Sequence, residues 1–143
     1  MRTVSRVVGS LKFYLIFSLV FTVSHDRTAV GETSEIGVGP IKKVELQPID
    51  SALAAKGQAL FQTKCSACHK LDERYVGPPL AGVTKRRTPE WVMNMIMNPQ
   101  EMTQKDPAAQ ELLGEYLTQM ASLNLTEPEA RSLLEFLRQN DSH

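Results

Sequence analysis

One stretch, Cys65-Ser66-Ala67-Cys68-His69, constrains this chain more than any other. Two cysteines three positions apart on one turn of helix project to the same side. Their sulfurs can then reach the two vinyl groups along one edge of a porphyrin. The imidazole at the next position turns toward the ring centre, where Nε2 can bind iron. This spacing is the signature of covalent c-type haem attachment. A thioredoxin-type redox pair would sit in a βαβ pattern, and none is visible. A structural zinc needs four ligands, whereas the sequence holds two Cys and three His, with His25 and His143 near its ends. A plain disulfide would leave His69 without a task.

The rest of the chain reads as what a haem requires. Its 143 residues allow one domain of ordinary size. A formal charge of zero gives no argument for nucleic acid or an anionic membrane. Aromatic residues are few, so a buried haem would add apolar surface and a covalent staple to a modest core. At the start, Arg2, Arg6 and Lys12 flank an apolar run from Phe13 to Val23. The run is shorter than the ~20 residues that span a bilayer. Residues 1–24 therefore read as a signal peptide or, since no clean A-x-A cleavage site follows, an uncleaved N-terminal anchor that would tether the protein to a membrane. Residues 25–49, punctuated by Gly31, Gly37, Gly39, Pro40 and Pro48, read as a linker and extended lead-in. Residues 50–140 form the folded domain.

The expected fold is all-α, with four to five helices around the haem. Asp50 or Ser51 caps a first helix running to Phe61, with Leu53, Gly57, Leu60 and Phe61 on one face. Gly57 costs about 1 kcal/mol inside a helix, which a close approach by another element would explain. Thr88-Pro89-Glu90 starts a second helix carrying Trp91, Met93, Ile96 and Met97, ended by Asn98-Pro99. Asp106-Pro107 opens a third, with Leu112, Leu113, Tyr116 and Leu117 as apolar positions. Thr126 to Glu129 is a capping box opening the last, which buries Ala130, Leu133, Leu134 and Leu137 beside Phe136. Between the motif and the second helix, Gly77-Pro78-Pro79 breaks any helix and frees backbone carbonyls. A ligating histidine usually donates its other ring N–H to such a carbonyl, and Pro78 is assigned that part.

Iron bound by His69 has one further axial position. Methionine is the natural soft partner and raises the reduction potential. The internal candidates are Met93, Met95, Met97, Met102 and Met120. Met93 and Met97, at i and i+4, read as helix core or pocket lining. Met95 lies off that face. Met102 and Met120 fall in loops, and either could approach the iron.

Three features in this order, Gly57 to Phe61 leading into the motif, then Gly77-Pro78-Pro79-Leu80, then Met120 ahead of the Leu125-Thr126 helix start, resemble a monohaem class I c-type cytochrome across residues 50–140. The resemblance implies the cytochrome c fold, in which Gly57 and Phe61 on the first helix meet Leu133, Phe136 and Leu137 on the last. It implies one haem c on Cys65 and Cys68, with His69 and Met120 as axial ligands and Pro78 as the histidine's partner. It also implies that Arg86, Arg87 and Trp91 pair with the propionates. Met120 is followed by Ala121, where many members have proline. The function implied is electron transfer between redox partners outside the cytoplasm, in the periplasm of a bacterium. ERYVGPPL, RRTPEWVMNMIMNP and LTEPEARSLLEFLR further resemble small exported cytochromes of anaerobic respiratory reductases, nitrous-oxide reduction among them.

Charge is unevenly spread along the sequence. Lys42 to Arg87 carries nine bases and four acids, while Thr88 to His143 carries three bases and nine acids. This predicts a basic haem edge that speeds encounter with an acidic partner. A haem enzyme or sensor, such as a peroxidase or gas-binding protein, would need a distal acid or base, and no histidine is free to supply one. A fixed subunit of a respiratory complex is the remaining alternative.

Overall fold

The computed structural model describes residues 35–143, so the targeting segment read in residues 1–24 lies outside it. Among the described residues there are six α-helices and no strand. They are α1 (Ser51–Leu60), α2 (Val83–Arg86), α3 (Pro89–Met97), α4 (Pro99–Lys105), α5 (Pro107–Tyr116) and α6 (Glu127–Asn140). None of the described helices is long and apolar enough to cross a membrane.

Each longer helix begins where capping chemistry dictates. The Asp50 carboxylate accepts from the N–H groups of Ala52 and Leu53, so Asp50 rather than Ser51 caps α1. Thr88 accepts from the Trp91 N–H above Pro89. Asp106 accepts from Ala109 above Pro107. Thr126 and Glu129 satisfy each other's backbone at the start of α6. Two short helices, α2 and α4, bring the count to six against the expected four to five. Pro99 does not simply end a helix but stands at the first turn of α4, where its missing N–H has no partner to lose. Met102 consequently lies on a helix and not in a loop.

α1 and α6 cross in direct backbone contact. A Cβ at Gly57 would lie 2.5 Å from the Ser132 carbonyl carbon and 2.9 Å from Phe136 Cβ. Phe61 meets Phe136 with ring centroids 5.3 Å apart. Of the contacts implied for these two helices, those of Gly57 and Phe61 with Phe136 are present, and the Ser132 backbone is the nearest neighbour of Gly57. Ala54 takes the buried place expected of Leu53. Leu117, expected to be apolar core, is 85% exposed and left-handed at φ 52°.

The segment before α1 packs closely. Asn94, wholly buried on α3, accepts from Ile41 N–H at 2.9 Å and donates to the carbonyls of Ile36 and Ile41. Val44 N–H donates to Glu90 at 2.7 Å, and Val38 N–H to the sulfur of Met102 at 2.9 Å. α3 is thus buried on two sides, one against this strap and one toward a cavity in the middle of the fold.

Candidate haem site

The cysteine motif follows directly on α1. At Phe61–Cys65 the helix widens into one π turn, closed by Ser66 N–H on the Phe61 carbonyl at 2.9 Å. Such widened turns recur at functional sites. The N–H groups of Cys68 and His69 then both donate to the Cys65 carbonyl, at 3.0 and 2.9 Å. This tight turn brings Cys65, Cys68 and His69 to the wall of one cavity of about 300 Å³.

A second tight segment fixes the imidazole. His69 Nδ1 lies 3.0 Å from the Pro78 carbonyl oxygen, the partner expected from the Gly-Pro-Pro turn. With that oxygen as acceptor, Nδ1 carries the proton and Nε2 keeps its lone pair. Gly77 N–H donates to the Cys68 carbonyl at 2.8 Å, locking the two segments together. Gly77 also lies against the ring itself, where a Cβ would come within 2.5 Å of His69 Cε1. Its identity in the sequence reads only as a turn residue, and the packing role becomes visible once the ring is placed.

The remaining walls are predominantly apolar. Leu80, Val83, Val92, Ile96, Leu112 and Leu133 line the cavity from several helices, and Met120 borders it from the segment after α5. Of the α3 methionines, Met95 lines it and Met93 and Met97 do not, so the pocket face of α3 is the one carrying Val92, Met95 and Ile96. The other loop candidate, Met102, is fully buried and turned toward the strap, with its sulfur accepting from Val38. It has no place on the cavity wall.

Trp91 borders the cavity through its ring, but its indole N–H donates to the buried Asp106 carboxylate at 3.0 Å. That bond occupies the indole donor expected to face a propionate, so Trp91 meets the cavity through its ring. Arg86 and Arg87 do reach the cavity rim. Arg86 donates to the Ala81 carbonyl at 2.8 Å, and the Arg87 guanidinium lies 4.9 Å from the Trp91 ring centroid. Lys64 adds a third basic group to the lining. Burial pushes the Cys65 thiol above its ordinary range, and the neighbouring Cys68 adds to the effect.

These residues fit a haem. An apolar cavity offers two thiols and one oriented imidazole with a free Nε2 on its wall, and a glycine seals the ring's other side. Among the described residues no three His, Cys, Asp or Glu side chains gather as a metal cluster, so the motif has no further ligands of a zinc site beside it.

The family model described as Cytochrome c matches residues 54–141. Among solved structures, cytochrome c from Rhodothermus marinus is 47% identical with a TM-score of 0.75, covering 78% of this chain and 97% of that one. A cytochrome c-553-like protein of Synechocystis is 36% identical over 62 residues, which are 41% of this chain and 59% of that protein. A cytochrome c2 of Rhodopseudomonas palustris is 56% identical over 34 residues, 24% of this chain and 29% of that protein. The chain thus spans less than two thirds of the length of these last two relatives.

Proposed function

Because the chain belongs to the cytochrome c family and carries one haem c joined through Cys65 and Cys68, we propose that it is an electron carrier whose iron is held by His69 and Met120. The single observation behind this reading is that Met120 borders the same apolar cavity as His69 from a segment outside any helix, whereas Met102 is packed elsewhere and Met95, also on the wall, sits within α3. When bound, a haem would supply a one-electron iron couple, held by the His69 imidazole and the Met120 thioether, a donor pair that would favour its reduced form. The chain's own contribution is to orient His69 through Pro78, to exclude water with aliphatic walls and to fill the sixth position.

The lining argues against an enzyme or gas sensor. Among the described residues, its titratable side chains apart from the motif are Lys64, Arg86, Arg87 and Tyr116, with neither a carboxylate nor a second imidazole. The same three bases form a basic rim suited to an acidic redox partner, whose association should slow as ionic strength rises. We place the carrier outside the cytoplasm, delivered or tethered by residues 1–24, between a respiratory donor and a terminal reductase of the nitrous-oxide type. A stable cytochrome subunit of a larger complex would instead co-purify with its oxidase or reductase.

The oxidised protein should show the weak sulfur-to-iron absorption band of a His/Met site. Met120→Ala should abolish the band and Met102→Ala should keep it. A high-spin, five-coordinate spectrum of the parent protein would overturn the carrier reading.

A further inference from the structure

The stretch that carries Met120 has no secondary structure from Leu117 to Thr126. Near its two ends stand left-handed residues, Leu117 at φ 52° and Asn124 at φ 50°. A leucine in that region is strained, so surrounding contacts must define where the loop begins. Two side chains from different parts of the fold supply them.

Arg74 lies in the turn that leads to Gly77 and Pro78. Its Nη1 donates to Glu115 Oε1 at 2.5 Å and its Nη2 to the Glu115 carbonyl at 3.0 Å. Its guanidinium also lies 4.0 Å from the Tyr116 ring centroid. That carbonyl is among the last four of α5, which lack helical partners, and a cation there meets the negative end of the helix dipole. Gln119 holds the other flank. It accepts from the Thr103 hydroxyl at 2.8 Å, and its amide faces the carbonyls of Pro99 at 3.4 Å and Met120 at 3.2 Å. Arg74 therefore ties the end of α5 to the His69 side of the cavity, and Gln119 ties the loop to α4.

We propose that Arg74 and Gln119 are positioning residues for the axial ligand, holding the Met120 loop closed and so setting how readily an outside ligand displaces Met120. This rests on the reading of Met120 as that ligand. An outside ligand binds only when Met120 has left, so its apparent affinity scales with the detached fraction. The ion pair itself is half-exposed and weak. What matters is a planar fork on one residue combined with stacking on the next, which lysine cannot reproduce.

Imidazole titration of the oxidised full-chain holoprotein tests this, with the sulfur-to-iron band and urea stability followed in parallel. Arg74→Lys and Gln119→Ala should each bind imidazole about tenfold more tightly than the parent, with the band intact before imidazole is added. Arg131→Ala removes an ion pair on α6 that does not border the cavity, and should leave imidazole affinity unchanged whatever its stability. Parent-like affinity in both test variants would overturn the proposal. So would an affinity gain in Arg131→Ala that follows loss of stability in the same proportion. A band that survives in Met120→Ala would instead overturn the ligand assignment, and this proposal with it.

Discussion

Replacing Gly57 by alanine adds one methyl group at the point where α1 and α6 cross. The new Cβ would sit 2.5 Å from the Ser132 carbonyl carbon and 2.9 Å from Phe136 Cβ, with the Ser132 carbonyl oxygen nearer still. Two of these three neighbours are backbone atoms, so no rotamer change can make room. The helices must separate by about 1 Å, a gap that forfeits a quarter to a half of the dispersion well for each atom pair it opens. Overpacking of this kind costs roughly 1–3 kcal/mol or more. The better helix propensity of alanine returns about 1 kcal/mol. Because all three contacts fall below 3.0 Å and two are with backbone, the upper end applies and we expect a net loss of about 2 kcal/mol, large against the ~5–15 kcal/mol that holds a typical domain together. Gly114 is the matched control, a helical glycine whose added Cβ would meet nothing within 4 Å. Gly114→Ala should therefore stabilise by about 0.5–1 kcal/mol. Urea unfolding of the two holoproteins, followed by far-UV circular dichroism, reads both signs. A Gly57→Ala protein as stable as its parent would refute the reasoning.

Three further outcomes are expected. Gly77→Ala should push the His69 ring off the Pro78 carbonyl, and the reduction midpoint, read by spectroelectrochemistry, should rise, because an imidazole without that bond is a weaker donor to the oxidised iron. Asp106→Ala should cost about 2–3 kcal/mol in urea unfolding, because it removes the α5 cap and orphans the Trp91 indole N–H in one step, whereas Asp106→Asn should lose less. Burial of the Asp141 carboxylate raises its pKa, but hydrogen bonds from Thr84, Gly82 and Asn140 outweigh that and leave it below the usual value of 3.8. A depressed folded pKa gives stability that is present above the unfolded value and lost as pH falls through the folded one. Asp141→Asn should therefore lower stability at neutral pH and flatten the loss below about pH 4, seen in urea midpoints taken across that range.

Much of this site could be read before any coordinates, for reasons that differ from residue to residue. Cys65, Cys68 and His69 were legible because covalent attachment needs those groups at that spacing. Pro78 was legible because a Gly-Pro-Pro turn must leave carbonyls free. The helix starts at Asp50, Thr88, Asp106 and Thr126 were legible because caps are local chemistry. What escaped depends on long-range packing. Met95 reaches the cavity and Met93 does not, since the strap formed by residues 36–44 occupies the other side of α3 through Asn94. A segment rich in glycine and proline gives no periodic signal, so neither the strap nor its claims on Asn94 and Met102 could be foreseen. The same blindness hid the second role of Asp106, whose hold on the Trp91 N–H spans fifteen positions.

The crossing of α1 and α6 also sets an order in time. Asp50 N–H is bonded to Glu135 across 85 positions of sequence, and Gly57 has no partner until Ser132 exists. Synthesis at about 5–20 residues per second leaves the first helix bare for several seconds. Cys65, Cys68 and His69 follow directly on that helix, in the π turn and the tight turn after it. The last helix to be made is therefore the one that closes the wall behind the haem-attachment turn.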